Sequence, residues 1–426
     1  MEEQQNAGSD GMRVVHVADA YPSASTPAAN SFIHEQILQL RRLGVEVMVF
    51  CPTPYVPKAM RVFPKWGNFS NLPSRETLDG VQVLRPRFLR PPGRWFRAYA
   101  AQSISRFCSG AFDELCAGFQ PDVIHAHMTL PVGLASVRMN AGRRPLVLTV
   151  HGLDVTDYTH SSSVLRELAV ESLCGSDAVL CVSEYLKEAT TQLCGAGISA
   201  KSAYLGVNLE QFQRDEVARN RIRSAHGIGD DVLIGYVGRI EDEKGVFEAL
   251  ELVSRVRAAG TRAAGMFIGD GSRCAALKQK AGTLGLQDAV HLVPSVPNSE
   301  IPGYMSALDL LVLPSKQEGF GLVLIEAQAC GTPVIATRTG GIVEAVEHGT
   351  GGFLVEPGDL AALTGHAVFL AKNSQQRAEM GARAAQWVHS RFDGQEQAVQ
   401  LFRIYERLAR QAGYGSGGRK VGCNAE

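Results

Sequence analysis

Short apolar, β-branched runs recur along the chain, and amphipathic stretches of helical period separate them. RVVHVAD (13–19), VEVMVFCP (45–52), DVIHAH (122–127), PLVLTVHG (145–152) and AVLCVS (178–183) read as strands. SFIHEQILQLRRLG (31–44) and residues 163–175 read as helices between them. The strand runs are nearly continuously apolar rather than alternating, as expected where helices cover both faces of a parallel sheet. Alternation of this kind predicts a doubly wound α/β fold. The pattern pauses from about 205 to 230, where GVNLEQFQRDEVARNRIRSAHGIGDD (206–231) is polar and charged and reads as a linker. A second series then runs through VLIGYVGR (232–239), AAGMFIGDG (263–271), VHLVPS (290–295), LLVLPS (310–315), PVIAT (333–337) and GFLV (352–355). Two similar α/β halves follow from this, with no repeat at residue level. A last helix over 395–412 fits either half, and YGSGGRKVGCNAE reads as a disordered tail.

Length supports two domains: 426 residues exceed one ordinary core. Apolar residues make up 45% and charged residues 20%, and the net charge of −1 offers no field for nucleic acid. The 9 cysteines are scattered and form no C-x-x-C pair, which argues against a disulfide framework or thiolate metal site and for a reducing compartment. The opening MEEQQNAGSDGM is polar and acidic, unlike a secretory signal. No apolar run is long enough to span a bilayer, so a cytoplasmic location is expected.

Polar residues that break the apolar pattern fall at the carboxyl ends of the strands, where open α/β sheets bind ligands. His151 and Asp154 follow one strand; Arg239, Gly269–Asp270–Gly271, Ser295 and Glu318 follow others. This distribution predicts a cleft between the halves. In EGFGLVLIE (318–326), Gly319 and Gly321 frame Phe320 where a loop turns into a helix over about 321–330. Glycine lets a backbone approach a ligand, and the first amides of a helix form an anion site. Glu318 precedes the helix and Glu326 lies more than a turn inside it. They read as two acceptors spaced along an extended ligand, each suited to a vicinal diol; a solvated acid beside a partly buried, paired one is the plainer alternative. GRIEDEKG (238–245) adds Arg239 and Lys244, a bidentate fork and a point charge for a diphosphate, or else ordinary partners of Glu241, Asp242 and Glu243.

GDGSRCA (269–275) lacks the third glycine of a dinucleotide fingerprint and sits on the wrong strand, so NAD and FAD are disfavoured. His151 is either a satisfied core histidine or a cleft group that hydrogen-bonds the substrate or polarises the reacting centre, and His125 and His127, which alternate with core residues, are candidates to face the same cleft. There is no HExxH, GxSxG or P-loop, and no D-x-D pair to hold Mg²⁺. Residues 55–107 interleave basic residues (Lys58, Arg61, Lys65, Arg75, Arg85, Arg87, Arg90, Arg94, Arg97, Arg106) with Phe63, Trp66, Phe69, Phe88, Trp95 and Phe96. That mixture suits an anionic membrane surface or a phosphate-bearing acceptor, or a loop closing the side of the first domain.

EGFGLVLIEAQACGTPVIATRTGG, with its E-x7-E spacing, resembles the signature of family 4 retaining glycosyltransferases, which have the GT-B fold. GRIEDEKG, IGDGS, VSEYLKE, LGVNLEQF and TVHGLD stand in the order that family shows, and the resemblance covers roughly 13–410. YPSASTPAANSFIHEQILQL and DVIHAHMTLPVGLAS are similar to the teichuronic-acid and exopolysaccharide branch. The resemblance implies an acceptor-side domain over 12–206, completed by the helix at 395–412 crossing back, and a donor domain over 207–394, with a tail at 413–426. It implies a nucleoside-diphosphate sugar of UDP or GDP type and a hydroxyl acceptor, with no metal or other cofactor and with anomeric retention. Gly238, Arg239 and Lys244 would meet the diphosphate with Gly319, Phe320 and the amides of Gly321 and Leu322. Glu326 would take the ribose, Glu318 the sugar, Ser295 and Val296 the base, and His151 the donor sugar from the first domain. Asn30 and Ser31 stand with Ala29 where many relatives have loop glycines, and Leu205–Gly206–Val207–Asn208 replaces N-G-V-D. Rival readings on the same fold are a nucleotide-sugar epimerase or hydrolase, or a non-catalytic sugar-nucleotide binding module.

Overall fold

The computed structural model describes residues 11–57, 59, 69–90 and 97–414. They form two compact units. Unit 1 runs to Val182, takes Leu186–Ala203 and resumes at Ala398; unit 2 holds Ser183–Tyr185 and Tyr204–Gln397.

Unit 1 contains β1 (Arg13–Val17), β2 (Glu46–Phe50), β3 (Thr53–Pro54), β4 (Arg75–Leu78), β5 (Val81–Leu84), β6 (Arg87–Phe88), β7 (Val123–His127), β8 (Leu146–Val150), β9 (Ala178–Cys181) and β10 (Ala200–Ser202). Its 8-stranded sheet has the order β10-β9-β8-β7-β1-β2-β5-β4, parallel except for the β4–β5 pair. The helix Ser31–Arg42 buries Ile33, Ile37 and Leu40, which helical spacing places on one face. Leu401, Tyr405 and Leu408 of the helix Gly394–Tyr414 share that core with Val14, Val123 and Val147. Apolar periodicity left the destination of this helix open; burial against β1 and β7 assigns its residues from Ala398 onward to unit 1.

Unit 2 is built on β11 (Val232–Val237), β12 (Ala263–Ile268), β13 (Val290–Val293), β14 (Leu310–Leu313), β15 (Val334–Thr337) and β16 (Gly352–Val355). They form one parallel sheet in the order β13-β12-β11-β14-β15-β16. The chain steps outward from β11 to β12 and β13, then returns to the other side of β11 with β14. The switch point therefore lies between β11 and β14, the place where loops diverge and a ligand fits.

Two sequence expectations are corrected. The polar stretch 205–230 is no bare linker, because it contains a helix, Glu216–Ala225. Asp215 caps it by accepting from the Ala218 amide at 2.9 Å. Only Ala218 and Ile222 are buried, and the helix is held instead by Arg219 and Arg223, which donate to the carbonyls of residues 306–308 and pair with Asp309. The basic segment 55–107 is also not one long loop, since it carries β4–β6 and the start of the helix Arg97–Phe119. Arg85 is 1% exposed and donates to Glu76 and to the Pro22 carbonyl, while Arg87 is held by the carbonyls of Phe69 and Leu72. Those two cations serve the fold. Lys58, Arg61, Phe63, Lys65, Trp66, Arg94, Trp95 and Phe96, and the tail beyond Tyr414, lie outside the described residues.

Candidate active site

The loops after β11 and β14 bring together a cation and a carboxylate that are 74 residues apart in sequence. Lys244 Nζ lies 2.6 Å from Glu318 Oε2, with the two side chains 17% and 20% exposed. Arg239 stands outside this pair, exposed, with Glu243 at 3.2 Å. Its backbone is fixed by Tyr236, whose hydroxyl donates to the Arg239 carbonyl at 2.6 Å. Burial, and then the nearby Glu318 charge, push that hydroxyl well above its ordinary pKa, so it remains a donor. Of the plainer partners, Glu243 does pair with Arg239. Glu241 instead accepts from the Ser272 amide and hydroxyl, and Asp242 pairs with Arg273.

Glu318 is positioned by backbone packing that only glycine allows. Gly340 has φ +52°, and a Cβ there would meet the Glu318 carbonyl oxygen at 2.0 Å. A Cβ on Gly341 would meet the Gly319 carbonyl at 2.1 Å, and the Gly341 amide donates to the Glu318 carbonyl at 3.1 Å. Ser183 completes the clamp by donating to the Gly319 carbonyl at 2.7 Å. Phe320 is buried against Tyr204 and Phe392. Gly321, at φ +89°, then turns the chain into the helix Leu322–Ala329. The amides of Leu322 and its neighbours at that N-terminus have no intrahelical acceptor and carry the positive end of the helix dipole. Glu326 lies half-buried in the second turn. Gly340, Gly341, Ser183 and Tyr236 were not singled out by sequence. The signal available was TRTGG, whose paired glycines follow a strand end.

Across the other side of β11, Gly238 is exposed and its carbonyl would meet a Cβ on Gly269 at 2.0 Å. The Ser295 amide donates to Asp270 at 3.1 Å, which orders the segment carrying Ser295 and Val296 after β13. Gly238, Arg239, Lys244, Ser295, Val296, Glu318–Leu322 and Glu326 thus all belong to unit 2, at or just beyond the carboxyl ends of its strands.

In unit 1, Asn30 takes the left-handed conformation, φ 48°, before the helix Ser31–Arg42. Asparagine tolerates that region better than other residues with a Cβ, so the backbone turn a glycine would make is retained. Its side-chain amide donates to Asp19 and to the Ala20 carbonyl, at 3.1 and 3.3 Å. His151 follows β8, its ring 5.0 Å from Phe32. Its Nε2 is 3.0 Å from His127 Nδ1, while its own Nδ1 is buried without a partner. Burial drives His151 down to about 3. His125 does not face an opening: it is wholly buried, between the Tyr405 hydroxyl and Thr149 Oγ1. His127 is equally buried. Asp154 accepts from the Thr129 and Gly152 amides, a structural role.

Among the described residues His16, His125 and His127 offer nitrogens within 4.8 Å of one another. They are poorly set for a metal. Two ligand nitrogens on tetrahedral zinc stand about 3.4 Å apart, whereas His16 Nδ1 and His127 Nε2 are hydrogen-bonded at 2.9 Å. Both His125 nitrogens face hydroxyls.

The family model "Glycosyltransferase Family 4" matches residues 29–211, and "Glycosyl transferases group 1" matches 218–387. TuaC of Bacillus subtilis (strain 168), a glycosyltransferase assigned to teichuronic acid biosynthesis, is 30% identical over 409 residues, 94% of this chain and 99% of that one. The chain is a family 4 glycosyltransferase. Two solved structures extend the likeness to the fold. Sucrose-phosphate synthase from Thermosynechococcus elongatus superposes with a TM-score of 0.78 at 21% identity, covering 94% of this chain and 100% of that one. Anabaena HepE in complex with UDP-glucose gives 0.70 at 22%, covering 93% and 100%. The family 4 transferase therefore has the two-domain GT-B fold, and its activity is glycosyl transfer. No helix among its described residues is long and apolar enough to cross a membrane.

Proposed function

We propose that this transferase moves a sugar from a nucleoside-diphosphate sugar to a hydroxyl acceptor, with retention at the anomeric carbon and without a metal. The observation that carries the reading is the Lys244–Glu318 pair at the switch point of unit 2, beside exposed Arg239 and a helix N-terminus. Two cations and a set of backbone amides neutralise a diphosphate; the adjacent carboxylates accept from hydroxyls. Arg239, Lys244 and the amides of Gly321 and Leu322 hold the diphosphate, with Gly238, Gly319 and Phe320 supplying close backbone. Glu326 takes the ribose hydroxyls, Glu318 those of the sugar, and Ser295 and Val296 the base. Asn30, Ser31 and His151 meet substrate at the strand edge of unit 1. A UDP-type donor is favoured by HepE, which was solved with UDP-glucose; a GDP-type donor is the alternative. The acceptor belongs to polysaccharide, glycolipid or glycoconjugate assembly in the cytoplasm.

In the reaction the bond between the anomeric carbon and the phosphate oxygen breaks, and the acceptor oxygen bonds to that carbon on the vacated face. The acceptor's proton passes to the departing phosphate. Arg239 and Lys244 stabilise the negative charge that grows on the leaving group. Thermal unfolding in EDTA with UDP, GDP or ADP tests the site. One nucleotide at about 100 times its dissociation constant should stabilise by about 2.7 kcal/mol, and Arg239→Ala should weaken its binding by about 10- to 100-fold. A response to none of the three nucleotides, or one that requires a divalent cation, overturns the donor reading. An inverted anomeric signal in the product sinks retention.

The same transferase carries an exposed patch in unit 1: Leu89, Tyr99 and Phe107 are 50%, 61% and 49% exposed, with Arg90 and Arg106 exposed among them. We infer that this patch rests on an anionic lipid surface, apolar rings entering the interface and guanidiniums meeting phosphates. Flotation should show binding to phosphatidylglycerol vesicles, weak binding to phosphatidylcholine, and loss in Tyr99→Ser/Phe107→Ser. Equal recovery of wild type and variant with the anionic vesicles would refute it.

A further inference from the structure

His16, His127 and His151 form a single hydrogen-bonded file of imidazoles. Strand period and register explain the alignment: His16 pairs in register with His125, and His127 with Thr149, so these side chains and His151 project from one face of β1, β7 and β8. His16 Nδ1 is 2.9 Å from His127 Nε2, and His127 Nδ1 is 3.0 Å from His151 Nε2. Both ends of the file, His16 Nε2 and His151 Nδ1, are buried and unpartnered.

The number of protons in this file is constrained. Burial lowers His16 and His151 to about 3, and burial together with the neighbouring rings holds His127 well below its ordinary value. Three neutral rings carry three N–H groups. Each of the two links uses one, so the third points outward from one end of the file. The two ends are not equivalent. His16 lies inside β1 at 0% exposure, where an N–H on Nε2 has no acceptor. His151, a half-buried residue, lies at the carboxyl edge of the sheet beside the first turn of the helix Ser31–Arg42, the edge at which open α/β sheets take their ligands. A buried unpaired N–H is the rarer defect than an unpaired lone pair. The third proton therefore belongs at the His151 end.

We propose that His127, anchored by His16, is a positioning residue that fixes His151 as its Nδ1–H tautomer and so presents a hydrogen-bond donor to an oxygen of the substrate. The tautomer of a histidine is set by the bond its other nitrogen makes, and here Nε2 is held as an acceptor from His127. A free imidazole side chain favours Nε2–H, so the file reverses the intrinsic preference. The ready-made donor is available without reorganisation when a substrate oxygen arrives. That the oxygen belongs to a sugar nucleotide rests on the proposed function above; the tautomer does not.

The test is a two-bond ¹H–¹⁵N correlation spectrum of the full chain labelled at histidine, with the His151 signals identified by their loss in His151→Gln. Wild type should show His151 protonated at Nδ1 and bare at Nε2. His127→Leu should move the proton to Nε2. His127→Asn, whose amide stands where the Nδ1–H was, should restore Nδ1–H on His151. Nε2–H in wild type overturns the proposal whether or not any variant folds, and so does an unchanged tautomer in His127→Leu. In turnover, His127→Leu should lower kcat by up to about 100-fold with little change in donor KM, and His127→Asn should recover most of it. Absence of sugar transfer by wild type would count against the transferase substrate assignment and leave the tautomer result standing.

Discussion

Glu318→Gln should lose about 10²- to 10³-fold in kcat and yet bind the bare nucleoside diphosphate more tightly. The two effects have opposite signs because Glu318 has two partners in turn. In the free protein its Oε2 sits 2.6 Å from Lys244 Nζ and neutralises it. A diphosphate entering the site competes with that carboxylate for the same ammonium. Replacing the charge by an amide raises the net charge of the site by one at short range. Both side chains are largely buried, so solvent screens the change only in part. An affinity gain of about three- to tenfold for the diphosphate corresponds to about 1 kcal/mol, well inside the Coulomb energy of a pair at this distance near a protein surface. On the proposed function, turnover falls because Glu318, as acceptor for the transferred sugar's hydroxyls, loses its charge. Calorimetry with the nucleoside diphosphate, alongside initial rates, reads both. Unchanged kcat would remove Glu318 from the reaction, and weaker diphosphate binding would show that Lys244 depends on Glu318 for its position rather than being held back by it.

That opposition was invisible in the sequence, although both residues were legible as candidates. Arg239 and Glu326 stand out because each follows or interrupts an apolar run, and Lys244 and Glu318 because they lie in short polar loops just beyond such runs; parallel strands buried on both faces make these breaks conspicuous. Which two of them touch depends on strand order, since β11 and β14 become neighbours only because the chain crosses back after β13. The glycines that clamp the Glu318 loop are ordinary letters until Gly340 is found against the Glu318 carbonyl. Strands with one polar face were harder to read. β4 alternates exposed and half-buried positions and β5 buried and more exposed ones, in a segment dense in arginine, and composition there spoke of a surface while Arg85 was going into the core. The helix Glu216–Ala225 was missed because two guanidiniums on carbonyls and a carboxylate hold it, not an apolar stripe. The imidazole file joins residues 111 positions apart, so no local pattern announces it.

Asp309→Ala should destabilise the protein by about 3–5 kcal/mol while leaving the donor loops in place. Asp309 precedes β14 at the amino edge of the unit 2 sheet, opposite the edge that carries Glu318. Its side chain, 9% exposed, pairs with Arg219 at 2.8 Å and Arg223 at 3.1 Å and accepts from the Leu233 amide at 2.8 Å. Truncation would strand two poorly exposed guanidiniums and a backbone donor, which costs more than the net worth of the pairs themselves. Burial alone would raise the Asp309 carboxyl, but the Leu233 amide and the two guanidiniums outweigh it and hold the group below its ordinary value. A carboxylate whose folded pKa is depressed contributes stability that is complete above the unfolded value, about 4. It loses that contribution as pH falls through the lower, folded one. The gap between wild type and Asp309→Ala in denaturant midpoint should therefore be constant near neutrality and close as the pH drops below about 4. A gap that widened on acidification would mean that Asp309 is protonated in the folded state and that the arginines are held by the carbonyls of residues 306–308 alone. Nucleotide binding by Asp309→Ala, measured well below its melting temperature, should match wild type, because the stabilising edge and the binding edge of this sheet share no loop.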